Sequence, residues 1–291
     1  MKLRALLGLF AFCVLCPLTA SAQAGAETME TARGVALGTG MRASAVSTAA
    51  LLYNPASLSL ARLYHVEGSA NYVPNTGQIG LMAAAVDSML NEHFAAGLAA
   101  KGIFDNSDDG YSGFDGRLGF GIPIANAVGI GIAARYLTLT DDGVDPAVQS
   151  DELAKGFTMD ASLRVTLADS FHIAALGYNL IDLESALAPV TVGGAASFQV
   201  MDAFSVGTDV LFDLSTYDNA EMQIGGGLEL FVQEVMPLRI GYFYDAGLDL
   251  HAVTGGIGYV GKMVGMELSL RQQASGGNDT YVMTSFRYFV Y

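Results

Sequence analysis

The stretch Met263-Val264-Gly265-Met266-Glu267-Leu268-Ser269-Leu270-Arg271-Gln272-Gln273 changes character at every step. Val264, Met266, Leu268 and Leu270 fall on one side of an extended chain, and Glu267, Ser269, Arg271 and Gln273 on the other. A period of two with one apolar and one polar face is the signature of a strand. The polar side carries charges of both signs, and the apolar side carries none.

The pattern recurs along the chain. Phe157, Met159, Ala161, Leu163, Val165 and Leu167 oppose Thr158, Asp160, Ser162, Arg164 and Thr166. Phe204, Val206, Thr208, Val210 and Phe212 oppose Ser205, Gly207, Asp209 and Asp213, while Tyr64, Val66, Gly68, Ala70 and Tyr72 oppose His65, Glu67, Ser69 and Asn71. Counting such runs predicts about fourteen strands, near 64–73, 76–87, 92–103, 115–124, 127–139, 157–168, 170–181, 190–199, 203–213, 220–232, 236–244, 250–260, 263–273 and 280–291. Most have the roughly 9–11 residues that a tilted membrane-spanning strand needs.

Composition points the same way. The chain is 52% hydrophobic, with a mean hydropathy of +0.38. Yet beyond Leu18 no run approaches the roughly 18 apolar residues of a spanning helix. Only helices and closed barrels satisfy every backbone group in lipid. The expected fold is therefore all-β, a transmembrane antiparallel β-barrel whose apolar face meets lipid and whose polar face lines the lumen. The 35 glycines suit curved, closely approaching backbones. A secreted β-sandwich also alternates, but it does not account for the connections. Tight turns around Asn91, Asn126, Asp169, Asp202, Glu234 and Gly261 alternate with acidic connections. The longer of these are Asp105–Asp115 and Asp141–Lys155, with shorter ones near Asp182, Asp218, Asp245 and Asn278. Short turns at one end and longer loops at the other are a barrel's signature. Pro74-Asn75-Thr76 is a short exception at the loop end.

The chain opens on Met1-Lys2-Leu3-Arg4, an apolar run to Leu18, and Ala20-Ser21-Ala22. A basic start, an apolar run and small residues describe a secretory leader, expected over 1–22. Cys13 and Cys16 fall within it, so the mature chain would hold no disulfide, and Leu15 speaks against a lipid-modified Cys16. The far end, Thr284-Ser285-Phe286-Arg287-Tyr288-Phe289-Val290-Tyr291, is an aromatic strand expected to close the barrel. Together these place the protein in the bacterial outer membrane, among lipid. The formal net charge of −15, or about −17 without Lys2 and Arg4, excludes the basic footprint of a nucleic-acid binder.

Residues 23–62 are not strand-like. Ala43–Leu52 is small and apolar, and Asn54-Pro55 reads as a helix end, because proline disfavours helix at the residue before it. A segment so apolar, yet irregular, is expected inside the lumen as a plug, where irregular backbone is tolerated at membrane depth. The barrel itself is expected over 63–291.

Ala49-Ala50-Leu51-Leu52-Tyr53-Asn54-Pro55-Ala56-Ser57-Leu58 resembles the Asn-Pro-Ala signature of FadL-type outer-membrane transporters and the related PorV-type proteins. Ser57 stands where those families commonly have glycine, and FadL-type transporters are usually longer. The resemblance implies a fourteen-stranded barrel with an N-terminal hatch, in which Asn54, Pro55 and Ala56 belong to the ligand or plug region. It implies passive passage of hydrophobic small molecules, long-chain fatty acids being the type, or, in a PorV-type protein, partnership in protein secretion. A barrel with no conduit is a third possibility. The aromatic terminus likewise resembles the signal read by the barrel-assembly machinery. An apolar pocket beside Asn54-Pro55-Ala56 is expected of a transporter, and a packed, ion-paired interior of the other two.

Arg117, Arg135, Arg164, Arg239, Arg271 and Arg287 fall on polar faces, with Asp160, Asp209, Glu229 and Glu267. They predict an ion-pair ladder across neighbouring strands. The alternative is an anion-guiding surface using arginine's two-pronged geometry. No cofactor is implied, and the motifs of enzymes are missing. His65, His93, His172 and His251 fall at strand ends as interfacial groups, and no nucleophile elbow or paired-histidine motif accompanies them. Asp108, Asp109, Asp141, Asp142 and Asp145 lack the ligand spacing of a calcium loop and read as solvated loop charge.

Overall fold

The fold was determined as a computed structural model. It describes residues 28–89, 91–105, 107, 110–125, 127–141, 152–168, 170–200 and 203–290. The leader, Asp108, Asp109, Asp142, Asp145, the turn residues Asn126, Asp169 and Asp202, and Tyr291 lie outside the described residues.

Fourteen antiparallel strands follow one another around a closed barrel. They are β1 (Tyr64–Val73), β2 (Gln78–Asp87), β3 (Ala95–Phe104), β4 (Tyr111–Ala125), β5 (Val128–Asp141), β6 (Glu152–Leu167) and β7 (Phe171–Tyr178). They continue with β8 (Thr191–Val200), β9 (Phe204–Asp213), β10 (Glu221–Val232), β11 (Met236–Asp245), β12 (Leu250–Val260), β13 (Val264–Ser275) and β14 (Thr280–Val290). Each pairs with its sequence neighbour, and β14 closes the ring on β1 from Tyr64↔Val290 to Tyr72↔Val282. The aromatic terminal strand therefore leaves no open edge.

Alternation decides which face is wet. On β13 Met266 and Leu268 are exposed, while Glu267, Ser269 and Arg271 are buried. Exposed aromatic residues collect at two levels. Tyr64, Phe171, Phe198, Phe204, Tyr259 and Tyr288 stand near the turn end, and Tyr72, Phe104, Phe114, Phe157 and Phe212 near the loop end. Tyr64 and Tyr72 span about 20 Å of depth at ordinary strand rise and tilt. Two aromatic girdles around an apolar band are what a membrane barrel shows to lipid. Among the described residues no helix is long and apolar enough to cross a membrane; the strands do so.

Three expectations need correction. β4 begins at Tyr111 rather than 115 and β6 at Glu152 rather than 157, because Gly113 and Gly156 continue the ladder where their neighbours Asp115 and Lys155 had suggested loop. β7 ends at Tyr178 rather than 181, so the connection 179–190, expected to be short, is a long one. Asn179 ends the strand there: its N–H donates to Asp160 and its side chain to the Pro189 carbonyl.

Residues 28–58 run inside the barrel and are almost all buried. Helix α1 (Ala32–Ala36) lies against β11 to β14 and a 3-10 turn (Arg42–Ser44) against β7 to β9. Helix α2 (Ser47–Tyr53) lies against β2 to β4, and a second 3-10 turn (Pro55–Ser57) against β4 to β6. Thr31 caps α1 by accepting from the Gly34 N–H. α2 stops at Tyr53, one residue short of Asn54, where Pro55 requires it. The segment contacts the wall at backbone distance because glycines line it. A Cβ at Gly131 would stand 2.1 Å from the Ala56 nitrogen, and one at Gly241 would stand 2.4 Å from the Leu37 carbonyl carbon.

Candidate functional site: the loop-end cavity and the lumenal charge network

Above the buried segment, at the loop end, lies a cavity of about 230 Å³. Thr28 and Met29 are part of its floor, with Arg117, Arg135 and Arg271. Its walls include Tyr111, Tyr178, Tyr281, Leu187, Leu211 and Leu248. The three tyrosines are inward-facing positions on β4, β7 and β14. Asp213, Asp245 and Asp279 stand among its lining residues, at or next to strand ends. Tyr217, in the connection after β9, feels this acidity. Partial burial holds its phenol above the ordinary tyrosine range, and Asp245, Asp213 and Glu221 push it the same way.

The floor arginines are engaged from below. Arg135 forks onto Asp115 at 2.7 Å and donates to Asn179 Oδ1 at 2.7 Å. Arg117 pairs with Asp160 at 3.2 Å and donates to the Leu52 carbonyl. Arg271 grips Glu30 at 2.7 and 3.2 Å and stacks on the Tyr281 ring, 4.7 Å from its centroid. These cations are paired, so the floor carries little net positive charge.

Deeper in, charges alternate in a continuous row. Arg33 pairs with Glu229 at 2.9 Å, Glu229 with Arg239 at 2.6 Å, Arg239 with Glu267 at 2.7 Å, and Glu267 with Arg287 at 2.5 Å. Across the lumen Arg42 pairs with Asp209 at 3.2 Å and lies between the Tyr53 and Tyr178 rings. Of the charges expected to pair across neighbouring strands, Arg239–Glu229 and Arg287–Glu267 do so, while Arg117–Asp160 and Arg239–Glu267 skip a strand. Arg271 and Asp209 pair instead with the inner segment, and Arg164 and Lys101 are buried without a carboxylate partner among the described residues.

Asn54, Pro55 and Ala56 are brought together, though not around that cavity. Asn54 Nδ2 donates to the Arg42 carbonyl at 2.9 Å, and the Ala56 N–H to Ser162 Oγ at 2.9 Å. They do not line the loop-end cavity, which lies beside Thr28 and Met29. The reason is the glycine lane of β4 and β5, which lets this turn lie flat on the wall.

Sequence reasoning missed Glu30, Arg33 and Arg42, which complete three of the pairs. An irregular segment has no period from which to assign a face. The available signal was that charges in an apolar, lumen-filling stretch need partners. It also placed His65 at an interface. His65 is fully buried instead, and its Nε2 lies 2.7 Å from Ser47 Oγ and 2.8 Å from Thr48 Oγ1, tying α2 to β1.

Two solved structures share this architecture. The toluene transporter TbuX of Ralstonia pickettii matches with a TM-score of 0.63 at 14% identity, covering 90% of this chain and 98% of that one. The monoaromatic hydrocarbon channel CymD matches with a TM-score of 0.60 at 11% identity, covering 84% and 92%. At such identities the likeness is one of fold. No family profile and no curated protein sequence matches the chain.

Proposed function

We propose that this protein is a bacterial outer-membrane conduit for small hydrophobic molecules, with the size of a single substituted aromatic ring as its best fit. The ion-paired interior around Asn54-Pro55-Ala56 is the arrangement expected of a secretion partner or a barrel without a conduit; what carries the transport reading instead is the cavity of about 230 Å³ between the loop end and the buried segment. An engineered apolar cavity of about 150 Å³ is enough to hold benzene. One substituted ring therefore fits here, with Tyr111, Tyr178 and Tyr281 offering ring edges and faces. A long-chain fatty acid would need the buried segment to move. The aspartates at the opening also disfavour an incoming carboxylate. The fold shared with a toluene transporter and a hydrocarbon channel supports the same reading.

In this mechanism the ligand enters past the connection 179–190, loses its water against the tyrosine and leucine walls, and rests on Thr28 and Met29. Residues 23–62 act as the plug that must shift to let it pass. Residues 1–22 direct export, and outer-membrane lipid and the barrel-assembly machinery are the partners of insertion.

The test is fluorine NMR of 4-fluorotoluene with the detergent-purified protein. Saturable binding is expected, displaced by toluene and weakened at least tenfold by Leu187→Trp, which fills the cavity from the loop side. Tighter binding of palmitate than of fluorotoluene would restore the fatty-acid reading. A protein that binds neither and co-purifies with secretion components would be of the PorV-type class.

A further inference from the structure

Nine arginines lie among the described residues, and eight of them face a carboxylate within ion-pair distance. Arg164, the ninth, is only 3% exposed. Its Nη1 donates to Thr166 Oγ1, and its Nε has no partner. A buried cation without a counter-charge is among the most unfavourable arrangements a protein interior can hold. Every other described arginine meets a carboxylate, and among the described buried lysines and arginines only Lys101, on β3, shares the lack of an ion pair.

The surroundings of Arg164 share its deficit. It lies three residues before the end of β6, on the turn side of the barrel. Thr166 Oγ1 lies 3.0 Å from His172 Nδ1. In the tautomer that carries its hydrogen on Nε2, His172 accepts from this hydroxyl at Nδ1 and keeps its Nε2–H as a further donor. Ser197, opposite His172 across β7 and β8, is buried with an unpartnered hydroxyl. Ser57 is buried and unpartnered too, directly after Ala56. The Ala56 carbonyl and Arg164 Nη2 both crowd Gly129, at 2.6 and 3.5 Å from where its Cβ would be. Thr166 touches the guanidinium, His172 touches Thr166, Ser197 stands opposite His172, and Ser57 follows the Ala56 carbonyl that shares Gly129 with Arg164; among the described residues no carboxylate pairs with Arg164.

We propose that Arg164 is the centre of an anion site at the turn end, built for a small oxyanion, a carboxylate or a phosphate. Two oxygens match the guanidinium fork, and the His172, Ser57 and Ser197 side chains are the further donors of this end of the lumen. The aspartates of the loop-end cavity repel such a ligand, so it reaches Arg164 from the turn side. The site is therefore separate from the hydrophobic conduit and does not rest on that reading. Its occupancy ties β6 to the turn where the buried segment leaves the lumen.

The experiment is calorimetric titration of the full protein in a non-ionic detergent with acetate and, separately, with inorganic phosphate, at constant ionic strength with chloride as the balancing ion. Saturable binding of at least one oxyanion is expected, with a rise in melting temperature. The arm that binds tells carboxylate from phosphate. Arg164→Gln should weaken binding at least tenfold. Arg164→Lys should lose less, because it keeps the charge but not the fork. Thr166→Asp places a carboxylate on the guanidinium, and should raise the melting temperature while abolishing binding. Should Arg164→Gln fail to fold, Thr166→Asp decides alone. The proposal is overturned if wild type binds neither oxyanion beyond the chloride background, or if Thr166→Asp or a folded Arg164→Gln binds as wild type does.

Discussion

Single residues in this lumen act through charge and through the lack of a side chain. Glu267 receives Arg239 at 2.7 Å and Arg287 at 2.5 Å, with its side chain 2% exposed. Removing one partner of such a buried group typically costs about 3–5 kcal/mol. Glu267→Gln should lose that much in chemical denaturation of the micellar protein; a change under about 1 kcal/mol would mean that water screens the row. Gly131 acts by absence. Its missing Cβ makes room for the Pro55–Ala56 peptide, and overpacking such a contact typically costs about 1–3 kcal/mol. Gly131→Val should lift the Asn54–Ser57 turn from the wall, read as new proteolytic cleavage within 28–62 in a barrel that still migrates as folded. Resistance equal to wild type would show that the turn tolerates displacement. Of these roles the sequence disclosed the charge of Glu267 and its face, through period two. It did not disclose which glycine of 35 meets another backbone, because that depends on the path of a segment without a period.

Strands obey the alternation closely enough to be tested one position at a time. On β13, Leu268 is 53% exposed and Glu267 is 4% exposed. Leu268→Arg places a charge on the lipid face and should destabilise by about 2–4 kcal/mol if near mid-membrane, whereas Leu268→Val should change little. Spin labels should find position 268 accessible to membrane-dissolved oxygen and position 267 shielded. The reverse result would mean a one-residue register slip, which exchanges the two faces of a strand. β14 has the further task of closure, since it bonds β13 on one side and β1 on the other. Deleting 280–291 exposes both edges, which lipid cannot satisfy. The truncated chain should accumulate as aggregate and be missing from the membrane fraction; its normal insertion would require a different closure. Strand identity was legible because half-buried strands write their environment into every second residue. Strand ends were less so: β4 and β6 start earlier than their charged residues suggested, since inward charges such as Asp115 are paired inside the wall and do not mark a loop.

For the whole molecule, the barrel wall and the segment inside it are held by different forces. Fourteen strands satisfy one another's backbone groups around the ring, while residues 28–58 are held by side-chain ion pairs, buried apolar clusters and backbone approach to glycines. Deleting 25–62 should therefore leave a folded barrel with a water-filled lumen, in which Glu229, Asp209 and Arg271 exchange protein partners for water. Single-channel conductance should be low in wild type and rise in the deletion. Equal conductance in both would show that the segment does not obstruct the lumen. The sequence by itself determined the all-β class, the strand number, the apolar outer face and the inward placement of Arg117, Arg135, Asp160, Arg164, Asp209, Glu229, Arg239, Glu267 and Arg271. It could do so because each of these follows from a local period and from the need to satisfy backbone groups in lipid. Only the tertiary structure decided which charges pair, that Arg164 is left without a carboxylate, and that the cavity sits over Thr28 and Met29 and not beside Asn54-Pro55-Ala56. Those outcomes depend on where an aperiodic segment touches walls that are distant in sequence, and no local pattern encodes that.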